Sequence, residues 1–199
     1  MSASHTADYD VIAVGAGFAG ISLSYHLREA GYSVKVFDRA DEIGGTWAWN
    51  RYPGAATDSE SYYYCLTFSK EVLQEWSWTK RYSGWEETQA YLKFVMNKFS
   101  LRPMFQLNTE VESASFDDAT GLWNVLTGDG QTHTAKYFIS AMGMISQPVI
   151  PTFSGADTFA GPIFHSSRWP EGLDVAGKRV GIIGAGATTV QMLPEVAKT

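Results

Sequence analysis

The sequence predicts an α/β fold. A parallel sheet wound with helices carries an inserted antiparallel β-meander, and the opening of a second sheet-and-helix unit follows. Three observations carry this expectation. An apolar run that ends in glycine and passes into helical spacing occurs twice, over residues 9–20 and again over 178–189. Between them, residues 105–140 change to period-2 or continuously apolar strands. Residues 146–172 then hold Pro148, Pro151, Gly155, Gly161, Pro162, Pro170 and Gly172, a density of breakers that marks a linker. The chain therefore divides into a frayed tail over 1–8, a first domain over 9–145, a linker over 146–172 and the start of a second domain over 173–199.

Each element has its own signal. YDVIAV, residues 9–14, is a short apolar run that reads as a strand buried on both faces. Helical spacing follows over 18–30, with Ile21, Leu23, Tyr25 and Leu27 apolar and Gly31 as a natural stop. SVKVF, residues 33–37, is the second strand, and Asp38 sits at its end. Residues 41–58 have turn chemistry throughout and carry Trp47, Trp49 and Tyr52 in one long loop. Residues 59–99 read as aromatic and mostly helical. The clearest helix spans 86–99, with Tyr91, Phe94, Val95 and Phe99 along one side. FQLNTEVESASF, LWNVLT and TAKYFISAM, separated by Asp117-Asp118 and Gly128-Asp-Gly130, form the meander, whose last strand returns to the main sheet. KRVGII, residues 178–183, is a new strand leading into the second glycine turn and a helix.

Composition excludes several classes of function. The 199 residues are 45% hydrophobic and 18% charged, which is the balance of a packed globular chain. A net charge of −6 without a basic stripe argues against nucleic-acid binding. Cys65 is the only cysteine, so there is no internal disulfide and no cysteine cluster for a metal. Residues 1–10 lack the apolar core of a signal peptide, and no apolar run is long enough to cross a bilayer. A soluble, cytoplasmic protein is expected.

The first glycine turn has a defined chemistry. Gly15 permits the tight turn out of the strand, Gly17 lets the backbone approach a pyrophosphate, and Gly20 lets helix and strand pack closely. The helix start offers free N–H groups and a positive dipole end to the phosphates. Asp38 is spaced to accept hydrogen bonds from ribose hydroxyls, and its charge would repel a 2′-phosphate. This pattern suits FAD or NAD and disfavours NADP. In GGTWAWNRYPGAATD, residues 44–58, the residues alone support two readings. One is a ligand-facing loop ending in the carboxylate of Asp58. The other is an aromatic surface loop packed on the next helix, with Asp58 capping a helix that begins near Ser59.

GAGFAG, Asp38 and GGTWAWNRYPGAATD together resemble the FAD-binding half of the Baeyer–Villiger monooxygenases. The stretch FAGPIFHSSRWP, from Phe159 to Pro170, is similar to that family's F-x-G-x-x-x-H-x-x-x-W-[PD] fingerprint. The resemblance runs from about residue 9 to the last residue. It implies a Rossmann-like FAD-binding domain followed by the beginning of a Rossmann-like NADP-binding domain.

By that resemblance, Gly15, Gly17, Phe18 and Gly20 hold the FAD pyrophosphate, and Asp38 with Arg39 holds the adenosine ribose. Gly45, Thr46 and Trp47 lie along the flavin side, with Tyr64 and the backbone near Val111 also touching FAD. Ala56, Thr57 and Asp58 also bind the cofactor, and Asp58, the catalytic candidate, sits where flavin meets nicotinamide and orients a cation near the reacting oxygen. Gly184, Gly186, Ala187, Thr188, Thr189 and Gln191 form the NADPH site. Thr189 departs from the third glycine of the pattern; its side chain would push helix and strand slightly apart. The implied reaction takes a ketone and O2 to an ester or lactone through a flavin C4a-peroxide. An N- or S-oxygenating flavin monooxygenase is the alternative within the class, and Trp169-Pro170 argues against it. A non-catalytic nucleotide-binding module is the alternative outside the class. His165 reads as a linker residue that fixes geometry, Trp169 as a packed anchor, and Cys65 as a small buried residue. The remainder of the polypeptide, or a second chain, is expected to complete the site, so that these residues alone are inactive and hold FAD poorly.

Overall fold

The computed structural model describes residues 6–199. In chain order its main elements are strand β1 (Tyr9–Val14), helix α1 (Phe18–Glu29) and strand β2 (Val34–Phe37). Helices α2 (Thr46–Trp49), α3 (Lys70–Glu75) and α4 (Trp85–Lys98) follow. Strands β3 (Phe105–Gln106), β4 (Val111–Asp117), β5 (Leu122–Thr127) and β6 (Thr132–Ser140) come next, and helix α5 (Ala187–Val196) comes last. Six strands form one sheet in the order β3-β2-β1-β6-β5-β4. β1 is parallel to both β2 and β6, and β3 is parallel to β2. The β4-β5 and β5-β6 pairs are antiparallel. The meander thus returns to the parallel sheet through β6, as its apolar last strand implies.

β1 is the middle of the structure because its side chains satisfy both faces. Val11 and Ala13 join the core under α1 and α4. Ile12 points to the other face, where it meets Phe37, Val125 and Ala135. All three are at most 1% exposed, which is why the sequence reads as an unbroken apolar run instead of an alternation. α1 stops where Gly31, at φ 86°, turns the chain left-handed. The Gly31 N–H then reaches Arg28 O and the Tyr32 N–H reaches Leu27 O, the Schellman pattern that satisfies the last carbonyls.

α4 buries Thr88, Gln89, Tyr91, Leu92, Val95 and Met96. This stripe is rotated from the expected Phe94 and Phe99 side, and those two rings pack from the rim. Residues 59–99 hold less helix than expected. Only α3 precedes α4, and residues 76–84 are turns and irregular chain, because Ser, Thr and Gly there favour turns over a helix. No helix begins near Ser59; the first one after it starts at Lys70 and is capped by the Ser69 hydroxyl.

Two further expectations change. Residues 1–5 of the expected tail lie outside the described residues, but Asp8 is tied down: its carboxylate accepts from the Thr134 N–H at 2.7 Å and hydroxyl at 2.8 Å. Residues 178–183 form no strand among the described residues. A strand exists only through a ladder partner, and no described residue pairs with this run, which leaves Ile183 79% exposed. No helix of the described residues is long and apolar enough to cross a membrane.

Candidate functional site

The C-terminal ends of β1, β2 and β6 open into a cleft of about 350 Å³, the place where parallel sheets bind ligands. The first glycine turn is its floor. Gly15 has φ 117° and its N–H donates to Phe37 O, while a Cβ there would stand 2.3 Å from Ala141 O. Gly20 lies underneath, where a Cβ would fall 1.9 Å from Gly15 O. α1 therefore starts pressed against the end of β1, and only glycine permits that approach. Gly17 occupies its N-cap position with no side-chain cap, and no acidic residue stands in the first turn. The helix N–H donors and positive dipole end are left for a ligand.

The second wall is the loop that carries α2. The Gly44 N–H donates to Ala16 O at 3.0 Å. Gly45, at φ 56°, lies so close that a Cβ would be 2.9 Å from Gly17 Cα. The two glycine segments touch backbone to backbone. Trp47 is 6% exposed and donates its indole N–H to Tyr64 Oη at 3.3 Å. Tyr64 in turn sets its ring edge-on to Phe18 at 4.9 Å. The aromatics of the loop are thus structural members of the cleft wall as well as lining.

Asp38 follows β2 and is buried. Its Oδ2 accepts from the Ala16 N–H at 2.6 Å and its Oδ1 from the Ala40 N–H at 2.8 Å. A carboxylate has about four lone-pair sites, so each oxygen keeps capacity for a hydroxyl. Arg39 donates to Ser146 O and lies 3.7 Å from Glu110. Thr46 and Val111 complete the expected lining.

The cleft also contains residues that the sequence did not assign to a site: Trp49, Thr109, Ala141 and its successors, and Arg168. The Arg168 guanidinium lies 4.0 Å above the Trp49 ring, with Arg39 over the same ring at 5.6 Å. Burial, and then the Arg39 charge, hold Arg168 below the usual arginine range. The lining after β6 could have been anticipated from the rule that parallel strands deliver ligand contacts at their C-terminal ends. Arg168 could not, because nothing in the spacing of the linker links it to Trp49.

The other expected residues stand apart from this cleft. Ala56, Thr57 and Asp58 do not line it, nor does any residue of the second turn. Thr57 is 3% exposed and its hydroxyl has no partner among the described residues. Asp58 is exposed and caps no helix; it accepts instead from Gln191 Nε2 at 2.7 Å. In the second turn Gly186 caps α5, Ala187 and Thr188 open it, and the Thr189 hydroxyl donates to Gly184 O at 3.0 Å. Thr189 thereby bonds to the carbonyl that corresponds to the one Gly20 lies on. α5 docks through Met192, which is buried with Tyr52 and Ala55 beside Trp169. Burial pushes the Tyr52 phenol above its ordinary value. His165 accepts from the Ser167 N–H and so holds the turn before Trp169.

A strand–glycine turn–helix unit with a buried acid after the next strand, at the carboxyl edge of a parallel sheet, defines the dinucleotide-binding α/β class. Residues 9–199 match the family described as flavin-binding monooxygenase-like, and the chain belongs to that family. It is 45% identical over 192 residues to a Baeyer–Villiger monooxygenase of Pseudooceanicola batsensis, covering 96% of this chain and 35% of that protein. It is 43% identical to a phenazine N-monooxygenase of Lysobacter antibioticus, covering 96% and 35%. The solved cyclohexanone monooxygenase from Rhodococcus sp. Phi1 bound to NADP+ superposes with a TM-score of 0.92 at 43% identity, over 96% of this chain and 36% of that one. The chain therefore spans about a third of the length of these relatives. The Baeyer–Villiger resemblance read from the motifs and the Rossmann-like fold both stand.

Proposed function

We propose that this chain is the flavin-binding part, and the opening of the nicotinamide-binding part, of an FAD- and NADPH-dependent monooxygenase acting on a ketone. One atom of O2 would enter beside the carbonyl, giving an ester or lactone. The observation that carries the reading is the cleft built by Gly15, Gly17, Gly45 and Asp38 at the uncapped start of α1. The fit to the dinucleotide is chemical: free helix N–H donors for the phosphates, a carboxylate with spare acceptor capacity for ribose, and glycine backbone where side chains would collide. When bound, FAD would supply the redox chemistry between NADPH and O2.

The chain's own residues hold and shape. The α1 N-terminus would bind the pyrophosphate, with Phe18 beside it and Arg39 beyond Asp38. Trp47 and Tyr64 would shield the flavin side from water. Asp58, reached through Ala56 and Thr57, would orient a cation supplied from beyond these residues. Gly184, Gly186, Ala187, Thr188 and Thr189 would receive the NADPH phosphates. In this reading residues 9–145 form the FAD domain, 146–172 the linker, and 173–199 the start of the NADP domain. The rest of the polypeptide would complete the site, and the cytoplasm would be its compartment.

N-oxygenation is the second reading, and the phenazine N-monooxygenase favours it: that relative is 43% identical to this chain, against 45% for the Baeyer–Villiger one. The test gives the full polypeptide NADPH with cyclohexanone and, separately, with phenazine. Lactone from the ketone supports the first reading, and N-oxide alone replaces it with the second. Loss of all flavin absorbance on desalting, with FAD supplied beforehand, overturns both.

A further inference from the structure

Gln191, assigned by resemblance to the nicotinamide dinucleotide, has no hydrogen-bonding capacity left for one. A side-chain amide carries two N–H donors and an oxygen with two lone pairs. Nε2 donates to Ala56 O at 2.9 Å and to Asp58 Oδ1 at 2.7 Å. Oε1 accepts from Tyr52 Oη at 2.8 Å and from the Ala56 N–H at 3.3 Å. All four positions are filled, and all by one loop. The amide has only one workable orientation: turned over, its oxygen would face a carbonyl and a carboxylate, and its N–H groups would face a backbone N–H.

The surroundings hold the loop to the helix at the same place. Gly54, at φ 78°, lies so close to α5 that a Cβ would be 2.4 Å from Gln191 O. Met192, Tyr52 and Ala55 are buried together next to this contact. Among the described residues, Gln191 is the one side chain that hydrogen-bonds the exposed Asp58 carboxylate.

We propose that Gln191 is a positioning residue: it clamps the 52–58 loop to the first helix of the second unit and sets the direction of the Asp58 carboxylate, without itself contacting the dinucleotide. The importance of Asp58 rests on the function proposed above, whereas the clamp does not. A displacement of α5 on nucleotide binding would then be handed directly to Asp58.

The test uses the full polypeptide. Gln191→Met keeps length and bulk and removes all four hydrogen bonds. In flavin-free protein, hydrogen exchange at the Ala56 amide is expected to rise about fivefold, the equivalent of one lost hydrogen bond. In the flavin-loaded protein, the Kd for NADP+ stays within about threefold of the parent, while flavin reduction at saturating NADPH slows by about tenfold or more. Asp58→Ala combined with Gln191→Met is no slower than Asp58→Ala alone, since both remove the same oriented group. Gln191→Glu sets two carboxylates against each other; its reduction rate recovers as pH is lowered, when a shared proton restores a donor to Asp58. A Kd for NADP+ raised tenfold with an unchanged saturated rate makes Gln191 a nucleotide contact and overturns the proposal, as does unaltered exchange at Ala56. A parent protein that binds no flavin, or is not reduced by NADPH, refutes the proposed function, while the exchange experiment still decides the clamp.

Discussion

Gly20→Ala sets two effects against each other, and the structure says which wins. Alanine is the better helix former, by up to about 1 kcal/mol. But the new Cβ would lie 1.9 Å from Gly15 O, a backbone atom that no rotamer can move aside. An ordinary carbon–oxygen contact is about 3.3 Å, so α1 must lift by roughly 1.4 Å or the turn must open. Ile21 and Ser24, both fully buried on α1, lift with it. Overpacking of a tight interior costs up to about 3 kcal/mol, which leaves a net loss of about 2 kcal/mol. For a unit of this size that lowers Tm by about 4–8 °C. The lift also moves the uncapped N–H groups of α1 off the floor of the cleft, so flavin content should fall together with stability. The assay is a thermal melt of the full polypeptide with and without added FAD, alongside flavin absorbance after desalting. The second turn is the internal control: Thr189→Gly removes one exposed hydroxyl bond and no packed backbone contact, so its effect stays below about 1 kcal/mol. A Gly20→Ala protein at least as stable as its parent, with full flavin, would refute the close-approach argument.

Asp38→Ala leaves the Ala16 and Ala40 N–H groups without their acceptor in a buried site. The expected loss is about 2–4 kcal/mol, together with weakened FAD binding, measured by urea unfolding and flavin titration. Asp38→Asn, which keeps one oxygen acceptor, should lose less; equal losses would count against the hydrogen-bond assignment. Alkaline stability depends on Tyr91, which is 1% exposed and whose phenol burial pushes up to about 12. Its unfolded value is about 10, so its contribution is complete below that pH and is lost as the pH rises from about 10 through 12. Tyr91→Phe gives up the bond from the Leu66 N–H but should flatten the fall in stability over that window in pH-dependent melts. A slope unchanged from the parent would exclude Tyr91 as its source.

The parts of the fold visible in the sequence are those whose signal is local. β1 and β2 announce themselves as short apolar runs, Gly31 as a stop, and the meander by its change of period. The same locality misleads at residues 178–183. An apolar run records that a strand would be buried, yet pairing is a property of its neighbours, and no described residue supplies the ladder. Near Ser59 the capping candidate Asp58 is present without a helix to cap, and its carboxylate accepts instead from Gln191, far away in sequence. At the site, Gly15, Gly17, Gly45, Trp47 and Asp38 converge as the motifs imply. Arg168 could not be placed, since it is defined by a contact with Trp49 more than a hundred residues away in sequence. The four hydrogen bonds of Gln191 to the 52–58 loop join segments far apart in sequence, so spacing alone does not disclose them.

The return of β6 beside β1 fixes a timetable. Ala141, whose carbonyl faces Gly15 and whose N–H bonds Val14 O, belongs to the cradle as much as the glycine motif does. During synthesis β1, α1 and β2 emerge early and can pair with one another, but one flank of β1 stays bare until the whole meander has been made. The nucleotide cradle, although its best-known residues lie near the start of the chain, cannot be finished before residue 141 has joined it.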